Sequence, residues 1–256
     1  MIGPGPGPAP DSAIVRSMTG DARARPRRVG HKGAAHIEVG NTLASFDAAL
    51  AHGVDMIELD VLSEHRDGSG RLLVGHDYED LAERPVLTFE QALEHLSSDS
   101  FEGLELDVDI KLPGYELRVL DALRERDLVP RTLISGMFPD GLALIRSAEP
   151  ALRLGWSVPR VRRDYTTDVL TAIPALAILT GYRATLPSRA RSALRSGRFD
   201  AIMAHWRVVT KALVRAVADA EGELYVWTVD DAKMIAKLTA MGVDGIITND
   251  PRLFSG

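Results

Sequence analysis

Several acidic and basic side chains stand at the ends of short apolar runs of this sequence. They are His31, Glu58, Asp60, His76, Asp109 and Lys111. Side chains two positions apart on a strand share one face, which places Glu58 beside Asp60 and Asp109 beside Lys111. Three inward-facing carboxylates are the oxygen ligands that suit Mg²⁺ or Ca²⁺. Histidine suits general acid–base catalysis because its ordinary pKa lies near neutrality.

The segments that carry these residues alternate between strand-like and helix-like patterns. Eight apolar or β-branched runs predict strands: RRVGH, DMIELDVL, GLELDVDI, RTLISG, LRLGWSV, FDAIMAH, ELYVWTV and GIIT. The helical spacing of apolar residues predicts helices over Thr42–Ala51, Leu117–Arg126, Asp140–Ala148, Ala212–Ala220 and Asp231–Met241. Eight strands separated by helices predict an α/β protein with the parallel (β/α)₈ fold, a TIM barrel.

One further strand should stand outside this barrel. Asp67-Gly68 is a hairpin signal, so RLLVGHD should run antiparallel to DMIELDVL as a short hairpin excursion after the second strand. The stretch from Arg160 to Arg198 has the least regular pattern and predicts one or two irregular helices. Chemistry in a TIM barrel takes place at the C-terminal ends of the strands. Each acid or histidine taken singly would be an ordinary structural residue, and their convergence on that face is what indicates a site.

Composition limits the class of protein. A length of 256 residues matches the roughly 250 of one TIM barrel, and a hydrophobic content of 45% excludes a fully disordered chain. The absence of cysteine excludes disulfides, zinc–thiolate sites and thiol nucleophiles. A net charge of -6 gives no general affinity for nucleic acid or an anionic membrane. We therefore expect a small-molecule substrate and no nucleic-acid partner.

The N-terminal segment differs from the rest of the chain. Proline and glycine alternate near its start, and such a sequence can form neither a helix nor a strand ladder. We therefore expect residues 1–26 to be a disordered tail and residues 27–256 to be the barrel domain. This segment has no hydrophobic stretch typical of a secretory signal. No apolar run is long enough to span a bilayer. We expect a cytoplasmic protein with no integral membrane segment.

Four motifs in order resemble the signature of the glycerophosphodiester phosphodiesterase family, within the phospholipase C-like phosphodiesterases. HKG, GNTLASF, GVDMIELDV and DGSGRLLVGHD are similar to the family's H-R-G, P-E-N-T-x-x-A-F, G-A-D-x-I-E-x-D-V and D-G-x-x-V-V-x-H-D. LELDVDIK resembles a strand ending in E-I-K. The stretch WTVDDAKMIAKLTAMGVDGIITNDP is similar to the family's W-T-V-N … G-V-D-G-I-I-T-D-x-P ending. The resemblance runs from about residue 29 to residue 253 and is weakest between Arg160 and Arg198.

The resemblance implies a role for each of the residues named first. His31 and His76 would form a general acid/base pair. Glu58, Asp60 and Asp109 would hold one divalent cation, Mg²⁺ or Ca²⁺. The histidines and the cation together would hydrolyse a glycerophosphodiester to glycerol 3-phosphate and an alcohol. The reaction would pass through a cyclic phosphate, formed when the 2-hydroxyl of glycerol attacks the phosphorus.

The last of those residues, Lys111, and two further ones would bind the substrate. Lys111 would contact the phosphate, and Lys32 would stand where the family has a phosphate-facing arginine. Trp227, the tryptophan of W-T-V, would line the substrate pocket, although packing in the barrel core is an equally good interpretation of its position.

The sequence departs from the family pattern at four points. Lys32 keeps the charge of the H-R-G arginine but loses its two-pronged hydrogen bonding. Gly40 replaces the glutamate of P-E-N-T, and Glu38 could substitute for it only if the loop were remodelled. Asp109 replaces the glutamate of E-I-K with a shorter side chain. Little chain separates GHD from LTFEQAL, where many members carry an insertion, which predicts a more open site.

Two alternatives therefore stay open. Aspartate followed by lysine two positions later also occurs in relatives of the sphingomyelinase D or phospholipase D type, which resemble lyases that stop at the cyclic phosphate. The departures at Gly40 and Lys32 instead fit a barrel that binds phosphate esters without turning them over. Both histidines and all three carboxylates are present, which argues against the barrel that only binds. The W-T-V and G-I-I-T ending looks more like the phosphodiesterase branch than the lyase.

Overall fold

Eight parallel strands close into a barrel in the computed structural model, which describes residues 25–159 and 169–255, with side chains from residue 179 onward in the second range. The strands are β1 (Arg27–Gly30), β2 (Met56–Ser63), β3 (Leu72–Val74), β4 (Glu105–Ile110), β5 (Thr132–Gly136), β6 (Arg153–Val158), β7 (Ala201–His205), β8 (Glu223–Trp227) and β9 (Gly245–Thr248). All but β3 form the barrel, which closes through parallel pairing of β1 with both β2 and β9. The predicted TIM barrel is confirmed.

The hairpin arm lies where the sequence predicts it. β3 pairs antiparallel with the end of β2, in the register Val61 to Val74, and takes no part in the barrel. The arm begins opposite Ser63, the last residue of β2, and runs back along that strand to Val74, and His76 follows two residues after β3. A two-strand excursion of this kind adds a residue to the mouth of the barrel without changing the number of barrel strands.

The helices surround the barrel. They are α1 (Leu43–Ala51), α2 (Tyr78–Glu83), α3 (Phe89–Leu96), α4 (Glu116–Arg124), α5 (Pro139–Ala148), α6 (Val169–Arg195), α7 (Lys211–Ala218) and α8 (Ala232–Met241). Five of them match the predicted helices to within a few residues, whereas α2 and α3 are additional. The stretch Arg160 to Arg198 was predicted to hold one or two irregular helices. Its residues 160–168 lie outside the described residues, and α6 spans most of the remainder as one helix.

Two apolar regions hold this arrangement together. The larger lies between the strands and the surrounding helices and includes Phe46, Phe89 and Leu106, all fully buried. The smaller fills the barrel interior and includes Val29, Met56, Leu133, Met203 and Tyr225. The interior region closes the barrel below its C-terminal end, so polar groups above it face a cavity with a solid floor.

The structure bears on the predicted N-terminal tail and on the question of a membrane-spanning helix. Of the predicted tail, residues 1–24 lie outside the described residues, while Arg25 donates hydrogen bonds to both carboxylate oxygens of Asp55, at 2.5 and 2.8 Å. Among the helices that the structure describes, no segment combines the length and apolar character needed to cross a bilayer.

Candidate active site

A cavity of about 140 Å³ opens at the C-terminal ends of the barrel strands. Six of the eight residues predicted from the sequence form part of its wall: His31, Glu58, His76, Asp109, Lys111 and Trp227. The other two, Asp60 and Lys32, lie beside this wall, and Asp60 is fully buried. The structure thus brings all eight to one end of the barrel, whereas their chemical roles stay predictions.

Strand register explains why the three predicted metal ligands meet. β2 pairs parallel with β4, and this register sets Asp60 opposite Asp109 and Glu58 opposite Asp107. One oxygen from each of Glu58, Asp60 and Asp109 lies within 4.8 Å of the others. These residues come from two adjacent strands, so the backbone hydrogen bonds of the sheet fix their spacing.

The carboxylates have the properties of a site for a hard cation. Oδ1 of Asp109 is buried and has no hydrogen-bond partner among the residues that the structure describes. An orphaned buried oxygen is costly, and a divalent cation would satisfy it. The donor set is all oxygen, which fits Mg²⁺ or Ca²⁺ rather than a soft metal. Glu58, Asp60 and Asp109 therefore fit the cation that the sequence predicts.

Two lysines compensate part of this negative charge. Nζ of Lys111 lies 2.5 Å from Oδ1 of Asp60, and Nζ of Lys32 lies 3.6 Å from its Oδ2. Burial alone would favour the neutral acid, but these two ammonium groups hold the pKa of Asp60 well below its ordinary value. Burial and the neighbouring Asp60 charge raise the pKa of Glu58 well above its ordinary value.

His31 follows β1 and is fixed at both its backbone and its ring. Its N–H donates to the carbonyl of Thr248, and ring atom Nδ1 lies 2.6 Å from Oδ1 of Asn249. The other ring nitrogen, Nε2, lies 3.8 Å from Oε2 of Glu58, beyond hydrogen-bond distance. Burial, with help from the lysine charges, lowers the pKa of His31 to about 4, so the ring is neutral near pH 7.

His76 comes to the same cavity from the hairpin side. Its Nδ1 lies 2.9 Å from Oδ2 of Asp77, and its side chain is half exposed. Asp77 is also the N-cap of α2, where its other oxygen accepts hydrogen bonds from the N–H groups of Glu79 and Asp80. The first turn of α2 therefore fixes the residue that orients His76.

Asn41 is a site residue that the sequence did not single out. Its Nδ2 donates to Oδ2 of Asp60 at 2.9 Å, and its Oδ1 accepts from the N–H of Asp60. It does not cap α1, because the N-cap of that helix is Thr42, which forms a capping box with Ser45. Asn41 instead orients one of the three carboxylates through two hydrogen bonds.

Asp107 was also missed. It lies on the inner face of β4, two residues before Asp109, and forms part of the cavity wall while only 1% exposed. Burial and the neighbouring charge of Asp109 raise the pKa of Asp107 to about 8. Extending the alternation of β4 back from Asp109 would have found it.

The departures at Lys32 and Gly40 prove to be one structural feature. A Cβ added at Gly40 would lie 2.9 Å from Cβ of Lys32 and 3.1 Å from Cβ of Ala35. The lysine side chain therefore lies across the place where a glutamate at position 40 would begin. Glu38 is exposed and not part of the cavity wall, so it does not replace that glutamate. The short connection after His76 is filled by α2, a helix with no buried residue.

Comparison with known proteins agrees with this arrangement. Models of the glycerophosphoryl diester phosphodiesterase family match residues 31–83 and 223–252. A glycerophosphodiester phosphodiesterase of Arabidopsis thaliana is 26% identical over 248 residues, covering 88% of this chain and 71% of the relative. A glycerophosphodiester phosphodiesterase structure from Parabacteroides distasonis superposes with a TM-score of 0.68 at 18% identity, covering 91% of this chain and 99% of the other.

A further solved structure contains a ligand. It is a phosphodiesterase of Oleispira antarctica in complex with the product sn-glycerol-3-phosphate, with a TM-score of 0.66 at 18% identity, covering 90% of this chain and 96% of the other. At such identities these structures establish the fold, while the family models match the segments that carry His31, Glu58, Asp60, His76 and Trp227. Over these segments the chain is similar to the glycerophosphodiester phosphodiesterase family, whose members are phosphoric diester hydrolases.

Proposed function

We propose that this protein hydrolyses glycerophosphodiesters to glycerol 3-phosphate and an alcohol, with one divalent cation and a pair of histidines. The observation that carries the proposal is that two histidines, a lysine and two of the three clustered carboxylates line one cavity. A phosphodiester reacts slowly because it is anionic and repels a nucleophile. A site for its hydrolysis must neutralise this charge and must also transfer protons to and from the reacting oxygens, so it needs positive charge and two proton-transfer groups.

Charge neutralisation is the first requirement. Glu58, Asp60 and Asp109 would hold the cation, which supplies Lewis-acid stabilisation of the charge on the non-bridging phosphate oxygens. Lys111 lies in the cavity wall close to these carboxylates and would bind the phosphate from the same side. Lys32 would add its charge through Asp60 rather than by direct contact, because its ammonium group lies beside that carboxylate.

Proton transfer is the second requirement. In the first step the 2-hydroxyl oxygen of glycerol bonds to phosphorus, and one histidine takes its proton. The bond between phosphorus and the head-group oxygen breaks, and the other histidine gives that oxygen a proton. Water then opens the cyclic phosphate with the proton transfers reversed, which yields glycerol 3-phosphate. Trp227, in the cavity wall, would pack against the organic part of the substrate.

A ³¹P NMR time course tests the proposal. Purified protein, glycerophosphocholine and Mg²⁺ or Ca²⁺ should give glycerol 3-phosphate, and EDTA should stop the reaction. His31→Gln and His76→Gln should each lower turnover by a factor of at least about 100. His36→Gln is the matched control, because His36 is an exposed loop histidine outside the cavity wall. Full activity in both histidine variants, or in EDTA, would refute the mechanism.

The same experiment separates the remaining alternatives. A cyclic phosphate signal that persists while the substrate disappears would identify a lyase. If a range of glycerophosphodiesters and lysophospholipids stays unchanged with either metal, while glycerol 3-phosphate still protects the cavity in a binding assay, the barrel binds phosphate esters without turnover.

A further inference from the structure

Three residues that lie far apart in the sequence form a hydrogen-bonded chain beside the cavity. Asp230 follows β8, Asn249 follows β9 and His31 follows β1. These strands are neighbours in the barrel, and their parallel pairing brings the three C-terminal ends together. Asn249 is the central residue of these hydrogen bonds and contacts both Asp230 and His31.

The hydrogen bonds fix which way the Asn249 amide points. Oδ1 of Asp230 accepts from the N–H of Asn249 at 2.8 Å and from the hydroxyl of Thr248 at 3.0 Å. Its Oδ2 accepts from Nδ2 of Asn249 at 2.7 Å. A carboxylate only accepts, so the NH₂ group of Asn249 must face Asp230. The amide oxygen therefore faces the ring of His31.

This orientation in turn fixes the proton on the imidazole ring. An amide oxygen only accepts, so Nδ1 of His31, 2.6 Å away, must carry the hydrogen. A neutral ring has one hydrogen, which leaves Nε2 with a free lone pair. Nε2 is the nitrogen on the side of Glu58, at 3.8 Å, so the lone pair faces the cavity. A ring in this form is ready to accept a proton from a bound hydroxyl.

We propose that Asp230 and Asn249 are positioning residues that hold His31 as its Nδ1–H tautomer, with Nε2 free toward the substrate. The effect on turnover rests on the proposed phosphodiesterase function, whereas the tautomer itself does not. Asn249 acts on the ring directly, and Asp230 acts through Asn249 by preventing the amide from turning over.

The family motif given above suggests a matched rescue. At the position of Asp230 the motif has asparagine, and at the position of Asn249 it has aspartate. In this chain the two side chains are exchanged. The exchange keeps one carboxylate and one amide facing each other, so the number of hydrogen bonds can stay the same. Restoring the motif order by Asp230→Asn together with Asn249→Asp should therefore preserve the support of His31.

The first test reads the tautomer by ¹⁵N NMR of the histidine side chains, with metal-free protein near pH 7.5 and His31→Gln to assign the signals. We expect Nδ1 of His31 to be protonated and Nε2 unprotonated. Asn249→Ala should give the averaged signal of two exchanging tautomers. Asp231→Asn is the control, because Asp231 is the adjacent aspartate and only caps α8. An Nε2–H tautomer in the wild type, or an unchanged signal in Asn249→Ala, would overturn the proposal.

The second test is kinetic and uses glycerophosphocholine with Mg²⁺. Asn249→Asp alone sets two carboxylates against each other and should lower kcat about 10- to 100-fold, with KM little changed. The double exchange should recover most of that loss, which a purely structural defect would not do. If the single variant matches the wild type, or the double is no better than the single, the proposal fails. If the wild type itself shows no turnover, the proposed function fails, and the NMR result alone decides the tautomer.

Discussion

Nζ of Lys111 lies 2.6 Å from Oδ2 of Asp109, the aspartate two residues before it. The same ammonium group contacts Asp60. Burial alone would lower the pKa of Lys111, but the neighbouring carboxylates outweigh it and raise that pKa well above its ordinary value. The chain thus places a fixed positive charge among the three carboxylates that would hold a divalent cation. Lysine and cation must share the same negative charge, so each should weaken the binding of the other.

Replacing Lys111 should therefore separate metal binding from turnover. Lys111→Met removes a unit charge, whose repulsion with a divalent cation at about 4 Å would be on the order of 8 kcal/mol at an effective dielectric constant of 20. We expect Ca²⁺ to bind about tenfold tighter or more by isothermal titration calorimetry, while activity on glycerophosphocholine is lost. Lys233→Met, on the exposed side of α8, is the control and should change neither. Weaker Ca²⁺ binding in Lys111→Met would contradict this account of the cluster.

The contact between Lys32 and Gly40 predicts an unusual sensitivity at a loop glycine. Gly40→Ala puts a Cβ within 2.9 Å of Cβ of Lys32, so the free energy of unfolding should fall by about 1–3 kcal/mol. In a Lys32→Gly background the same substitution should cost little, because the Cβ of Lys32 is then absent. Glycine is a suitable replacement there, since it freely adopts the φ of 53° found at Lys32. Urea denaturation of the four proteins gives the coupling.

A control for this cycle is available on α6. At Gly181 an added Cβ would meet nothing within 4 Å, so Gly181→Ala should leave stability unchanged or raise it by up to about 1 kcal/mol. Equal losses at Gly40 in both backgrounds would mean that Lys32 is not the group in the way.

The barrel could be predicted because its strands carry a clear pattern of apolar runs separated by amphipathic segments. The two unpredicted helices have different explanations. α2 has only six residues and buries none of them, so it leaves no apolar periodicity to recognise. α3 begins with a capping box formed by Thr88 and Gln91, which is a pattern of residue types that the sequence itself contains.

The site was predictable in its residue types and not in its contacts. The eight residues were found because they stand at strand ends and resemble family motifs. Contacts such as that between Asn249 and His31, 218 positions apart, depend on which strands become neighbours when the barrel closes. The role of Gly40 as space for Lys32 depends on a loop conformation that no local pattern encodes.

A ring of four charges at the opposite end of the barrel should stabilise the fold without affecting the site. Arg153 donates to Glu105 at 2.6 Å and to Glu223 at 2.8 Å, and Arg27 donates to the same two glutamates. Arg153→Met leaves Arg27 as the one arginine that still donates to both glutamates among the residues that the structure describes. We expect the free energy of unfolding to fall by about 1–3 kcal/mol, since these side chains are only partly buried.

Its control is Arg124→Met, which removes a more exposed ion pair with Glu149 and should cost less than about 1 kcal/mol. Turnover at saturating substrate should be unchanged in both variants, measured below their unfolding temperatures. A loss of activity in Arg153→Met without loss of stability would show that this end of the barrel acts on the site.

Asp55 should give the fold a stability that depends on pH. Partial burial opposes its ionisation, but hydrogen bonds from the Arg25 side chain and the Arg28 N–H hold the pKa of Asp55 below its ordinary value of 3.8. A carboxylate with a depressed pKa in the folded state stabilises the fold above the unfolded pKa, and this contribution is lost as the pH falls through the folded pKa. Asp55→Asn should therefore cost about 1 kcal/mol near pH 7 and progressively less below about pH 4. Urea denaturation at several pH values measures the difference, with the exposed Asp121→Asn as control. A difference between wild type and Asp55→Asn that stays constant, or grows in acid, would mean that the charge of Asp55 contributes nothing and that the asparagine perturbs the loop in another way.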